Sequence, residues 1–134
     1  MLVVRWYDCQ LNTYRRHSNY QAPVTESLKK GIKVLDVGCG TGVWSFELAT
    51  EFPNSIFIGT DITNVFLATA AKSPPNLKFL EADTLAGLPF EDNTFDYVFQ
   101  RLQVGSFSMN AWPGVLRELL RVAKPGSYIE LCEY

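Results

Sequence analysis

Three acids and three glycines are spaced so that they could do chemistry together. Asp36 stands two residues before Gly38, and Gly38, Gly40 and Gly42 alternate with Cys39 and Thr41. A turn with glycine at every second position can take positive φ and lets a ligand approach the backbone closely. Asp61 lies 19 residues after Gly42, and Asp83 closes the run Glu81-Ala82-Asp83. A carboxylate at the place of Asp61 can accept from both hydroxyls of a ribose, a logic shared by nicotinamide and other adenosine-containing ligands. Asp83 can accept from an exocyclic amine such as adenine N6. Losing one such charge-assisted contact costs roughly 1.5–3 kcal/mol. Each acid taken alone reads as well as a helix cap or a turn residue. Their recurrence after three successive strands, with the glycine turn between the first two, is what argues for a site.

Neighbouring fingerprints fail. The dinucleotide pattern G-x-G-x-x-G counted from Gly38 meets Val43 where its third glycine belongs, and no Gly-Lys-Ser/Thr follows to make a phosphate loop. Cys39 reads as a small residue in a tight loop rather than a nucleophile. His17, the single histidine, falls in a basic N-terminal stretch and reads as a surface residue. Tyr14 and Tyr20 read as packing aromatics of a helix, with a lid over a ligand as the sharper alternative. Glu91 and Asp92 read as turn solvation. No catalytic base stands out.

The elements that must position these residues alternate. Short β-branched or aromatic runs at 32–37, 55–60, 77–81, 95–100 and 128–132 read as five strands, and helical spacing is expected over 5–16, 23–30, 41–52, 64–71 and 111–123. Pro53-Asn54, Ser73-Pro74-Pro75 and Lys124-Pro125-Gly126 supply the stops. Such alternation predicts an α/β fold, a doubly wound, mostly parallel sheet with helices on both faces. Ligands of such sheets bind at the carboxyl ends of the strands, where the strand order reverses.

Composition bounds the rest. The chain has 134 residues, 47% hydrophobic and 19% charged, with net charge −2. That is one globular domain with no bulk electrostatic hold on nucleic acid. The charge is uneven: residues 1–33 carry a net +4 and residues 34–134 a net −6. A solvated basic helix face is the plain reading, and a basic flap near an anionic ligand the sharper one. No apolar run suggests a membrane span. Cys9, Cys39 and Cys132 show neither disulfide nor zinc spacing, so a reduced, intracellular setting (cytoplasm or nucleus) is expected.

With these residues in view, the sequence resembles the class I S-adenosylmethionine-dependent methyltransferases over about residues 32–134. VLDVGCGTG resembles the family's first motif, in the full form Asp36, Gly38, Gly40, Gly42. IGTDI carries the acid after the second strand, and EADTLAGLPFEDNTFDYVF and ELLRVAKPGSYIEL resemble the segments that follow. The resemblance implies a Rossmann-like core at 32–134 preceded by a helical or lid segment at 1–31. It implies S-adenosyl-L-methionine as cofactor. Asp36 and the Gly38-Cys39-Gly40-Thr41-Gly42 turn would hold its methionine moiety. Asp61 would hold the ribose, Ile62 would pack on the adenine, and Asp83 with Thr84 would meet the adenine amine. Gln100 would line the space between cofactor and acceptor. The Ser18–Pro23 segment and Gln100-Arg101-Leu102 are similar to a fungal subgroup that includes regulators of secondary metabolism.

The function implied is direct methyl transfer to a small molecule or protein. The alternative is a cofactor-binding or regulatory module without turnover. After the fourth strand there is no Asn/Asp-Pro-Pro-Tyr/Phe, the motif that positions nitrogen acceptors in similar enzymes. Family members also carry an antiparallel hairpin after the fifth strand, for which the sequence past residue 132 has no room. The expectation is therefore a C-terminally truncated core whose fifth strand is an exposed apolar edge, open to a covering partner.

Overall fold

A computed structural model of the chain describes residues 3–8 and 19–133. The β-branched and aromatic runs form strands β1 (Val3–Asp8), β2 (Lys33–Val37), β3 (Ile56–Asp61), β4 (Leu77–Glu81), β5 (Phe95–Arg101) and β6 (Ala123–Glu133). Between them lie helices α1 (Thr25–Lys30), α2 (Val43–Glu51), α3 (Leu67–Ala70) and α4 (Trp112–Val122), with a 3-10 turn at Thr84–Ala86. The six strands make one sheet in the order β1-β6-β5-β2-β3-β4, and every pair is parallel.

A parallel sheet covered on both faces needs strands that are apolar on both faces. The alternation along β2 shows this: Val34 joins one core layer and Leu35 the other, both fully buried. The first layer, under α1 and α2, is aromatic, with Trp44 stacked on Phe99 at 3.9 Å between ring centroids. The second, under α4, is mainly aliphatic, with Phe95 among its buried residues. Val115, Leu119 and Val122 of α4, at helical spacing, meet Val98 of β5 and Ile129 and Leu131 of β6. Each such side chain contributes roughly 1.5–3 kcal/mol on burial.

The chain leaves β2 in both directions across the sheet, to β3 and β4 on one side and to β5 and β6 on the other. The switch point therefore lies between the ends of β2 and β5, which is where a ligand crevice opens in this architecture.

Three expectations need correction. The helix expected over 5–16 is not what residues 3–8 form: they are strand β1, and 9–18 lie outside the described residues. Propensity along Val3–Asp8 is compatible with either state, and the unpaired side of β6 decides it. The sheet consequently has six strands, not five. The strand expected at 128–132 is not an exposed edge. It runs from Ala123 to Glu133 and pairs with β5 on one side and β1 on the other, and Ile129, Glu130, Leu131, Cys132 and Glu133 are buried. The segment before residue 32 thus contributes a strand to the same sheet as the core. Finally, Cys132 is disulfide-bonded while Cys39 is free, so the expectation of three reduced thiols does not hold. No helix among the described residues is long and apolar enough to cross a membrane.

Candidate functional site

Asp36, the last residue but one of β2, is nearly solvent-free, with its Oδ2 accepting from Ser45 Oγ of α2 at 2.7 Å. Burial pushes its carboxyl up to about 6, against the pull of the Ser45 hydroxyl and of Arg101, while the nearby Asp61 charge adds to the rise. The chain then turns into α2. Gly42, the residue before that helix, has φ 78°, and a side chain there would run into the Phe79 ring. The turn is fastened to β3 at two points: Cys39 N donates to Thr60 O and Gly40 N to Asp61 Oδ2, both at 2.9 Å. Gly40 faces open space, since a Cβ there would meet no atom within 4 Å. The turn therefore offers backbone to a ligand on one side while its other side is tied down. Burial, with the Asp36 and Asp61 charges, pushes the Cys39 thiol up, so it stays protonated and unreactive.

Asp61 Oδ1 accepts from Thr63 N at 3.1 Å and Thr63 Oγ1 at 3.2 Å. A carboxylate offers about four acceptor sites, so the three bonds leave capacity for a ligand hydroxyl. Ile62 beside it is 63% exposed, an apolar shelf. Asp83 Oδ1 caps the 3-10 turn by accepting from Leu85 N at 2.9 Å. That is the helix-cap role each acid could have had, and it leaves the second carboxylate oxygen uncommitted to the cap. Thr84 is buried behind it.

A cavity of about 160 Å³ lies between these groups. It is lined by Gly38, Asp61, Ile62, Ala82, Asp83 and Thr84, and by Gln103, Ser106 and Phe107 from the loop after β5. The first motif's glycine and both cleft acids thus come together. Asp36, Cys39, Gly40 and Gly42 underlie or form the turn. Gln100 lies elsewhere. It is fully buried, its register neighbours Val37 and Leu131 belong to the aliphatic layer, and its amide nitrogen and oxygen have no hydrogen-bond partner among the described residues. The glutamine that reaches the cleft is Gln103, three residues on.

Sequence reasoning missed Gln103, Ser106 and Phe107. Their placement depends on Leu102, which adopts φ 57° and redirects the chain, and a leucine carries no sequence signal for that conformation.

The segment before α1 is also built into this end of the sheet. Glu130 of β6 is fully buried, and it accepts from Ala22 N at 2.8 Å, Gln21 N at 3.0 Å and Tyr97 Oη at 2.8 Å. Burial pushes its carboxyl up, opposed by these donors. Trp44 Nε1 donates to Asn19 O at 2.6 Å, and Asn19 Nδ2 to Glu47 Oε2 at 2.8 Å. Tyr20 packs edge-on against Phe52 and Tyr97, the packing role rather than the lid. Tyr14 and His17 lie outside the described residues.

Residues 34–126 match the family model described as a methyltransferase domain. The secondary metabolism regulator LAE1 of Cochliobolus heterostrophus is 32% identical over 114 residues, covering 84% of this chain and 36% of that protein. The demethylmenaquinone methyltransferase of Bacillus cytotoxicus is 33% identical over 124 residues, 87% of this chain and 52% of that one. Among solved structures, the PH0226 protein of Pyrococcus horikoshii superposes with a TM-score of 0.67 at 33% identity, over 80% of this chain and 51% of that one. A SAM dependent methyltransferase from Aquifex aeolicus does so at 0.65 and 30%, over 76% and 56%. The chain spans between about a third and about half the length of these curated relatives.

Proposed function

We propose, because this chain belongs to the class I S-adenosylmethionine-dependent methyltransferase family, that it binds S-adenosylmethionine in the cleft between Gly38, Asp61 and Asp83 and serves methyl transfer to an acceptor. The observation that carries this reading is the glycine turn. It is tied to β3 through Asp61 and presents Gly40 to open space beside a cavity with a carboxylate on two sides. That arrangement fits an adenosine-bearing ligand. Asp61 would take the ribose hydroxyls, Asp83 the adenine amine, and Ile62 the adenine face. The Gly38–Gly42 turn, supported by Asp36, would hold the methionine end. When bound, the cofactor supplies an already activated methyl group. The chain's own task is then placement and exclusion of water, not covalent catalysis.

Titration calorimetry with S-adenosylmethionine and S-adenosylhomocysteine tests this, with NAD as a negative ligand. Micromolar binding is expected, weakened about tenfold or more by Asp61→Ala. Asp61→Asn, which keeps an acceptor for Gly40 N, separates loss of ribose recognition from loss of the turn. A folded sample that binds neither ligand overturns the assignment.

A second reading is a cofactor-dependent regulatory module without turnover. The likeness to a relative named as a regulator supports it, as does coverage of only part of each curated relative. Binding without conversion of S-adenosylmethionine to S-adenosylhomocysteine, across quinol and protein acceptors, would select it.

A further inference from the structure

The loop after β5 is built with unusual care for a surface loop. Leu102 sits at φ 57°, a conformation that a leucine side chain disfavours. Three consecutive backbone N–H groups are then tied to the end of β6: Leu102 N donates to Cys132 O at 2.9 Å, Gln103 N to Glu133 Oε1 at 2.9 Å, and Val104 N to Glu133 Oε2 at 3.0 Å. Glu133 is 1% exposed. A buried carboxylate that holds two adjacent backbone donors fixes a loop firmly, at a desolvation penalty that a solvent-facing turn need not carry.

What this support delivers to the cleft is the side chain of Gln103. Its carboxamide lies directly over Gly38, with its atoms 2.6–2.8 Å from where a Cβ on Gly38 would stand. A side chain on Gly38, whose φ is 69°, would have to displace it. The amide nitrogen is turned toward two backbone carbonyls, Gly38 O and Arg101 O, each at 3.4 Å. Those contacts are long, so the backbone is fixed while the amide itself is free to re-pair. While the nitrogen faces those carbonyls, Oε1 is the atom left for a ligand.

We infer that Gln103 is a recognition residue at the methyl-bearing end of the cofactor site, with its carbonyl oxygen facing the electron-poor group beside Gly38, and that Glu133 is the positioning residue that holds it there. The inference rests on the cofactor reading above. A carbonyl oxygen favours an electropositive carbon weakly and an ammonium strongly. A probe with an amine-bearing carbon in place of the methyl-bearing sulfonium puts an ammonium where the methyl would be, and so reports on Oε1 directly. Sinefungin is such a probe, and S-adenosylhomocysteine, which lacks both groups, is its reference.

The experiment is calorimetric titration of the whole chain with both ligands, with circular dichroism to establish folding of each variant. The wild-type chain is expected to bind sinefungin about tenfold or more tighter than S-adenosylhomocysteine. Gln103→Leu removes that preference, weakening sinefungin more than it weakens S-adenosylhomocysteine. Gln103→Glu restores or exceeds the preference, because a carboxylate accepts from an ammonium more strongly. Glu133→Gln, which sets a donor against one of the two backbone N–H groups, lowers the preference by less than Gln103→Leu does. An unchanged ratio in folded Gln103→Leu, or no recovery in Gln103→Glu, overturns the inference while the cofactor reading stands. Wild-type chain that is folded and binds neither ligand overturns the cofactor reading, and this inference with it.

Discussion

The two ends of the sheet treat charge and strain differently. At the carboxyl ends of β2, β5 and β6, Asp36, Gln100 and Glu133 are all buried, and Leu102, with its positive φ, leads out of β5. At the amino ends, Asp96 accepts from Lys33 N at 2.9 Å and pairs with Lys124 Nζ at 3.1 Å, with side chains 32% and 44% exposed. Positive φ there falls on Gly31, Asn93 and Gly126, residue types that adopt it at little expense. The amino end obeys the ordinary rules for polar groups and turns. The carboxyl end breaks them together, and a place where several local rules fail at once is where function constrains the chain.

The largest effect that would test this contrast is at Glu130. Glu130→Ala takes the acceptor from Ala22 N and Tyr97 Oη in a buried setting and is expected to lower stability by about 3 kcal/mol or more in urea titrations. A loss under about 1 kcal/mol would mean that the carboxyl end is no more demanding than a surface.

Asp36 gives a change of opposite sign. Its folded carboxyl, at about 6, lies above the ordinary 3.8. The native state therefore holds the proton more tightly than the unfolded chain. The stability from this group is complete below about pH 4 and is lost as pH rises through about 6. Asp36→Asn, which stays neutral, should stabilise the chain by up to about 3 kcal/mol near pH 8 and by little near pH 3.5. Melting curves at the two pH values check it, and an equal gain at both would refute the desolvation of Asp36.

Gln100→Leu should raise stability by about 1 kcal/mol, since it replaces an unpartnered buried amide with an apolar side chain of similar size. A destabilised variant would show that the amide is satisfied in solution. The smallest effect belongs to the amino end: Lys124→Ala should cost less than about 1 kcal/mol and leave cofactor affinity untouched.

What was legible in the sequence was local. Asp36-Val37-Gly38 through Gly42 announces a strand, a turn and a helix within a few residues, Asp61 is the last residue of its strand and Asp83 stands two past its own, so periodicity and turn chemistry reached their neighbourhood. β1 was not legible, because Val3–Asp8 becomes a strand only by virtue of β6, at the other end of the described chain. Gln103 was hidden for the same reason. Its place depends on a carboxylate thirty residues away and on a leucine in a conformation that its type does not advertise. Gln100 shows the converse. The family resemblance pointed to it, but the pleat turns its side chain into the aliphatic layer.

The pairing of β1 with β6 has a consequence for biosynthesis. The register sets Val3 against Tyr128 and Tyr7 against Cys132. Strand β1 is made long before β6, which it pairs with, whereas β2, β3 and β4, which carry the glycine turn and both cleft acids, are neighbours in sequence and in the sheet. On the ribosome the ligand-binding half can assemble while β1 is still without an edge to dock on. Closing so long a loop is among the slower steps of folding. Through that interval the backbone donors of β1 are open to chaperones and to other nascent strands. The order of synthesis therefore runs against the order of assembly at this one edge, and quality control of the chain should act there first.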